Sequence, residues 1–399
     1  MATADDATRL SAACSFFELI SVFLTLGATA FGGPAVHIAL MESQLVRDRK
    51  WLNRDEFLDL LGAANLIPGP SSTELAMHVG YKLRGIPGLV IAGVSFILPA
   101  FCLVVLISSL YLRFSQLEAV QAILYGLKPV IVVIVLQAVL SLALTALKNR
   151  FLIAVAASSA ILFLAGVGVP VILFGWGMLA CVWEFYKNPS ARQIRVLSAI
   201  CVVCTVLLAL LLSVTRISSK GLVYTPSNLF LYFAKTGSLL YGGGYVLLAF
   251  LRSDLVENCH WLTSSQLLDA IAIGQITPGP FFITATFIGF LLGGLFGACI
   301  ATIGMFLPAF VFVAITAPFV KTIRSSLLAS AFLDSASAAA VALMIAVMLQ
   351  MVADACHDLK GICIAVATLI FLFYKRVNPL WLMLGGAIVG LLFRVVFSS

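Results

Sequence analysis

Two interruptions in an otherwise apolar chain limit what it can fold into. Pro68-Gly69-Pro70 and Pro278-Gly279-Pro280 lie 210 residues apart, each inside a hydrophobic run. Proline has no N–H to donate and blocks helix continuation. At membrane depth such backbone survives only when buried in protein or lining a wet cavity. The setting is a membrane: 62% of the 399 residues are hydrophobic and only 10% charged, against roughly 25% charged in soluble domains. Many runs are long enough to cross about 30 Å of hydrocarbon. A β-barrel would show short alternating segments instead. The expected class is an all-α polytopic membrane protein.

The remaining composition excludes rather than assigns. The net charge of +7 fits Lys/Arg-rich cytoplasmic loops better than a nucleic-acid surface. The polar first ten residues show no signal-peptide pattern, so the first apolar run is expected to remain in the mature chain. Nine cysteines lie mostly in apolar runs. Cys201 and Cys204 have CxxC spacing without a second pair, which reads as packing rather than metal or redox chemistry. There is no nucleotide loop, HExxH or Ser/Lys dyad. The chain reads as neither an enzyme nor an ATP-driven pump, and no cofactor is expected.

The interruptions belong to a duplication. Residues 31–70 align without gaps on 241–280 with 14 identities in 40, including Trp51/Trp261 and Asp59/Asp269. Leu98-Pro99-Ala100-Phe101 matches Leu307-Pro308-Ala309-Phe310, and Pro170 matches Pro379. Each half holds six apolar units. The first two are broken, at Gly32-Gly33 and Pro68-Gly69-Pro70, then at Gly242-Gly243 and Pro278-Gly279-Pro280. The expected divisions are residues 1–190, a linker with one transmembrane helix at 191–225, and 226–399.

If every unit spans, there are thirteen crossings and loop Lys/Arg divide 13 to 9. If the broken units are re-entrant hairpins, nine crossings remain and the division is 16 to 6, which obeys the positive-inside rule better. Both arrangements invert the second half, with the N-terminus cytoplasmic and the C-terminus outside a cell membrane. A mixed arrangement, with only the Pro-Gly-Pro units re-entrant, divides 14 to 8 and makes the repeats parallel. Inverted repeats with discontinuous helices are the architecture of secondary transporters.

Phe31-Gly32-Gly33-Pro34, Trp51-Leu52, Ile67-Pro68-Gly69-Pro70-Ser71, Gly80-Tyr81, Gly85-Ile86-Pro87-Gly88 and Leu98-Pro99-Ala100-Phe101 together resemble the chromate ion transporter family. The resemblance covers nearly the whole chain as two tandem family domains, the long-chain fused form. It implies chromate efflux and chromate resistance, with sulfate, an isosteric dianion, as a related ligand. Tyr241 and Gly244 depart from the pattern, where the first half has Phe31 and Pro34.

A dianion leaving water needs fixed donors, and helix N-termini supply them. The expected site is therefore the four breaks: Gly32, Gly33, Asn65, Pro68, Gly69, Pro70, Ser71, Ser72 and Thr73, with Gly242, Gly243, Gln275, Pro278, Gly279 and Pro280. The first copy leads into three hydroxyl residues and the second into Phe281-Phe282, so the first is the expected main contact. Lys128 and Lys235 are candidates for offsetting the substrate's charge, or snorkelling lysines. Glu74 and Asp334 are coupling candidates or ion-pair partners. His37 and His78 are minor candidates. Competing functions are sulfate or other oxyanion uptake or exchange, and an anion channel. A homodimer stays open.

Overall fold

The computed structural model describes residues 14–31, 34–187, 222–241, 244–319, 327–375 and 377–397. Gly32, Gly33, Gly242, Gly243 and the expected linker helix lie outside them. The described residues form helices and connecting turns. In the first half these are α1 (Phe16–Thr29), α2 (Pro34–Glu42), α3 (Arg54–Ala64), α4 (Ser71–Phe114), α5 (Glu118–Ala146), α6 (Arg150–Leu164) and α7 (Val169–Lys187). In the second they are α8 (Pro226–Leu239), α9 (Leu247–Phe250), α10 (Ser264–Ile276), α11 (Thr284–Thr316), α12 (Leu327–Ala355), α13 (Leu359–Phe373) and α14 (Pro379–Phe397).

The duplication extends to backbone detail. Helices α2 and α9 both run on into π-helical turns, at Ser43–Asp48 and Leu251–Asn258. Lys50 and His260 then take left-handed conformations, at φ 53° and 52°. A capping box starts the next helix in each half, Asn53 with Glu56 and Thr263 with Gln266, satisfying N–H groups that the helix leaves open. Helix α4 reverses at Arg84-Gly85, and α11 at Gly293-Gly294. Gly85 and Gly294 sit at φ 63° and 60°, the left-handed region that glycine enters at little cost. The two limbs of each then pack backbone to backbone: a Cβ on Gly80 would strike the Gly88 carbonyl, and one on Gly289 the Gly297 carbonyl.

These reversals settle the topology. Lys82 pairs with Glu56 at 2.5 Å, and Arg84 donates to the Cys14 carbonyl. The start of α1, the start of α3 and the end of the first α4 limb therefore lie at one face. The π turn after α2 reaches that face within a few residues. The α1–α2 and α3–α4 pairs are thus re-entrant hairpins that dip from one face and return to it. The face carries Arg47, Arg49, Lys50, Arg54, Lys82 and Arg84, and is here the basic face.

In the second half, Trp261 donates to the Leu222 carbonyl at 2.7 Å and packs on Tyr224, closing the equivalent hairpins at one level. The second α4 limb joins the two levels. It leaves the basic face at Gly85 and ends near Tyr111, whose hydroxyl donates to Asp269 at 2.9 Å. Asp269 stands near the open end of the second half's hairpins, so those hairpins open on the opposite, far face. The repeats are inverted. Phe151 stacks on Trp183, which brings the end of α7 back to the basic face, and Arg394 pairs with Glu118 at 2.7 Å, which puts the end of α14 at the far face.

The helices sort into two bundles. Helices α1–α4 and α8–α11 form one, in which the long kinked hairpins α4 and α11 pack on each other. Helices α5–α7 and α12–α14 form the other by exchange: α14 of the second half packs on α5 of the first, and α7 of the first on α12 of the second. Gly126, Gly386 and Gly390 let α5 and α14 approach backbone to backbone. Exposed Ile86, Val90, Val94 and Leu98 follow one another at four-residue spacing on α4, and Leu307, Val311 and Ile315 on α11. Those stripes suit lipid. A single cysteine at Asp55 and one at its repeat counterpart Ser265 are expected to react with an impermeant maleimide from opposite faces. Labelling of both from one face would contradict the inversion.

Candidate functional site

Each Pro-Gly-Pro has one main-chain donor, the glycine N–H, because proline has none. Neither glycine bonds within its own repeat. The Gly69 N–H donates to the Leu240 carbonyl at 2.8 Å, and the Gly279 N–H to the Ala30 carbonyl at 3.0 Å. Leu240 and Ala30 are themselves equivalent, each ending the first helix of its half. The tips of the re-entrant hairpins therefore interlock across the internal pseudo-twofold. Gly69 at φ 139° and Gly279 at φ 94° take conformations that a side chain resists.

His37 completes one side of the lock. Its Nε2 lies 3.0 Å from the Ala30 carbonyl and its Nδ1 3.1 Å from Ser72 Oγ. A carbonyl only accepts, so Nε2–H donates to it and Nδ1 accepts from the Ser72 hydroxyl. The Ser72 hydroxyl is thereby committed to the scaffold. In the second half the positions equivalent to His37 and Ser72 hold Leu247 and Phe282, so that half has no such clasp.

The interlocked tips form one wall of a cavity of about 770 Å³ between the bundles. Ala35, Ser71 and Ser72, Gly244 and Tyr245, and Phe281 and Phe282 line it. These residues begin the four helical segments that follow the four breaks. The first N–H groups of a helix have no acceptor within it. After the first Pro-Gly-Pro, the Pro70 carbonyl takes the N–H groups of Thr73 and Glu74, at 2.8 and 3.0 Å, which leaves those of Ser71 and Ser72 at the wall. Asn65 and Gln275 border the same space. Tyr245 stacks on Phe281 with centroids 5.1 Å apart. The opposite wall carries Gln137, Ser141 and Thr145 of α5, Asp334 and Ser337 of α12, and Asn378. Those residues lead toward the end of α5 and the start of α14, so the cavity opens at the basic face.

Several expected residues stand elsewhere. Lys128 lies in α5 near the far face, 3.4 Å from Asp269 and 2.6 Å from Ser265 Oγ. Lys235 faces Asp254 at 4.0 Å. Neither lines the central cavity, because each is drawn to a carboxylate of its own neighbourhood. The cavity wall among the described residues bears no Lys or Arg. Asp334 lines the cavity mouth and pairs with Lys148 at 3.3 Å. Pro68, Pro278, Gly279 and Thr73 support the tips from behind the wall.

Glu74 is fully buried. Its carboxylate lies against the Gly69 turn, where a Cβ on Gly69 would strike it. Neither carboxylate oxygen, nor Thr73 Oγ1, nor either ring nitrogen of His78 has a hydrogen-bond partner. Sequence reasoning missed Tyr245, Gln137, Ser141 and Thr145. Tyr245 had a legible signal, since it follows a break directly. The others are ordinary polar residues of a long apolar helix. No group of three or more His, Cys, Asp or Glu among the described residues could hold a metal ion.

A family profile described as "Chromate transporter" matches residues 17–182 and 227–391, one copy for each half. The chain belongs to the chromate transporter family. It is 31% identical to the probable chromate transport protein of Synechococcus elongatus, over 98% of this chain and 99% of that one. It is 30% identical to the chromate transport protein of Cupriavidus metallidurans, over 94% and 92%. The Pseudomonas aeruginosa chromate transport protein is 30% identical over the same shares. No solved structure matches. This family member is a membrane transporter with paired, interlocked breaks at its centre.

Gly69→Ala is expected to destabilise the protein by about 1–3 kcal/mol, through its backbone conformation and the contact with Glu74. Gly166→Ala, also at positive φ but in open space, is expected to cost less. Thermal unfolding of the two purified variants in detergent checks the order.

Proposed function

We propose that the protein exports chromate across the cytoplasmic membrane and so confers chromate resistance, using the central cavity as an alternating-access site. The observation that carries this reading is the convergence of four post-break helical starts on one cavity without a lysine or arginine in its described wall. Such a wall offers N–H groups, hydroxyls and helix-dipole ends, which suit a tetrahedral dianion that must bind and then leave. The names of the full-length relatives supply the ion.

Direction follows from charge. The basic face is assigned to the cytoplasm by the positive-inside rule, which puts the N-terminal side within and the C-terminal side outside. The cavity then faces the cytoplasm and loads there. An inside-negative potential favours outward movement of a dianion by roughly 2.3 kcal/mol per charge per 100 mV. Ser71 and Ser72 are the principal contacts, with the Ser71 hydroxyl and both N–H groups facing the ion. The Phe281-Phe282 start offers backbone donors and aromatic bulk, and acts as counterweight.

Glu74 is the proton-coupling group in this reading. It lies one turn behind Ser71, and an ionised carboxylate there would repel a bound dianion. On its own limb the nearest titratable neighbour is His78. Helix α11, which supplies Ala309 beside the Gly69 turn, contains no Asp, Glu, Lys or Arg. The helices packed against that limb carry Glu18 in α1, His37 and Glu42 in α2, and Arg54, Asp55, Glu56 and Asp59 in α3. Asp334, paired at the mouth, is the second coupling candidate.

Proteoliposomes loaded with chromate test the proposal. Outward flux is expected, accelerated by an inside-negative potential and competed by sulfate. Ser71→Ala with Ser72→Ala is expected to lower flux about tenfold or more, chiefly through the Ser71 hydroxyl, since a hydrogen bond to a charged group contributes roughly 1.5–3 kcal/mol. Glu74→Gln is expected to keep chromate exchange and lose its response to a pH gradient. Absence of chromate flux from correctly folded protein would overturn the reading.

A further inference from the structure

The far face has its own cavity, also of about 770 Å³, lined by Tyr111, Tyr125, Lys128, Ser265, Asp269 and Asp354. It is the pseudo-symmetric counterpart of the central cavity. Tyr125, Lys128 and Asp354 stand 209 residues before or after Asp334, Ser337 and Thr145 of the central wall. The two spaces differ in reach. The central cavity runs to the breaks, whereas the far one ends at Asp269 and includes no residue of any break.

What stops it is charged. Asp269 is 3% exposed. It accepts from Tyr111 Oη at 2.9 Å and faces Lys128 Nζ at 3.4 Å. Lys128 belongs to the α5–α7 and α12–α14 bundle, and Asp269 to the bundle of broken helices. A second pair bridges the same bundles nearby: Arg252, in the π turn after α9, meets Asp354 near the end of α12. Both pairs therefore tie the bundles together on the side away from the open cavity.

Neither pair has a counterpart of opposite charges at the basic face. The positions equivalent to Lys128 and Asp269 are Ser337 and Asp59. Those equivalent to Arg252 and Asp354 are Glu42 and Thr145. Glu42 pairs locally with Arg47 and Arg54, at 3.5 and 3.8 Å, as Arg252 also does with Glu257 at 3.4 Å. A closure of the basic face that mirrored the far one would lack both ion pairs. Breaking a half-buried pair leaves each charge poorly solvated, so such pairs hold strongly once formed.

We propose that Lys128–Asp269 and Arg252–Asp354 are the far-face gate, and that their absence from the equivalent positions biases the resting transporter toward the basic-face-open state. The gate sets which side the site faces, and opens when the bundles rock apart at the far face. Lys128 thus serves the transport cycle through Asp269 and the bundle contact, outside the central site. The inference rests on the central cavity being the transport path.

A cysteine at Gln137, on the central wall, reports access in oriented proteoliposomes without any substrate. With the full chain otherwise intact, an impermeant maleimide is expected to label it from the basic face and only slowly from the far face, over the background of the unsubstituted chain. Replacing both members of a pair, Lys128→Met with Asp269→Leu or Arg252→Met with Asp354→Leu, avoids leaving a lone buried charge. Each double variant is expected to raise far-face labelling roughly tenfold or more and to reduce basic-face labelling. The swapped pair Lys128→Asp with Asp269→Lys is expected to return the labelling toward that of the native chain. Far-face labelling unchanged in both double variants, or raised and not reversed by the swap, overturns the gate. Absence of chromate flux from the native chain, alongside the expected labelling pattern in the variants, would refute the substrate assignment alone.

Discussion

Two backbone hydrogen bonds, Gly69 to Leu240 and Gly279 to Ala30, hold the centre of this protein together. They join breaks that would otherwise leave polar backbone in a dry place, where each unpaired group costs several kcal/mol. Proline on both sides of each glycine makes the bond selective, because the triplet has no other N–H. The bonds run between repeats, so neither half can complete its centre alone. The requirement for two copies in opposite orientation follows from that exchange.

Symmetry supplies the frame and side chains break it. The first half adds Ser71, Ser72 and the His37 clasp to its break, and the second adds Tyr245 stacked on Phe281. The far face carries two ion pairs between the bundles, and the equivalent positions at the basic face cannot form them. In the proposed reading, one scaffold thereby acquires a preferred ligand side and a preferred resting state. In that reading the attraction for an anion comes from helix starts and neutral donors. That arrangement limits how tightly a dianion is held, and a carrier must release what it binds.

Much of the frame was legible in the sequence. The duplicated Pro-Gly-Pro, the Trp51/Trp261 pair and the Leu-Pro-Ala-Phe repeats located the equivalent elements. The Lys/Arg division favoured re-entrant hairpins, and the polar ties of Lys82 with Glu56 and of Arg84 with Cys14 place them so. Asn65, Gly69, Pro70, Ser71, Ser72, Gln275 and Pro280 do line the central cavity, because backbone breaks announce themselves through proline and glycine. Lys128 and Lys235, named as charge-offsetting or snorkelling lysines, lie outside that cavity. A lysine in an apolar run signals a partner without saying which, and Asp269 and Asp254 each lie on a different helical element from the lysine they face. Gln137, Ser141 and Thr145 were hidden because the wall opposite the breaks is assembled from plain helices by exchange between the halves.

The location of the bound ion decides whether the interlocked breaks form the substrate site. Chromium scatters anomalously, so a crystal of the protein grown with chromate would show its position without reference to transport. A peak is expected in the central cavity, within hydrogen-bond reach of the Ser71 and Ser72 N–H groups and facing Phe281 and Phe282. A peak confined to the far cavity beside Lys128, with the central cavity empty, would contradict it.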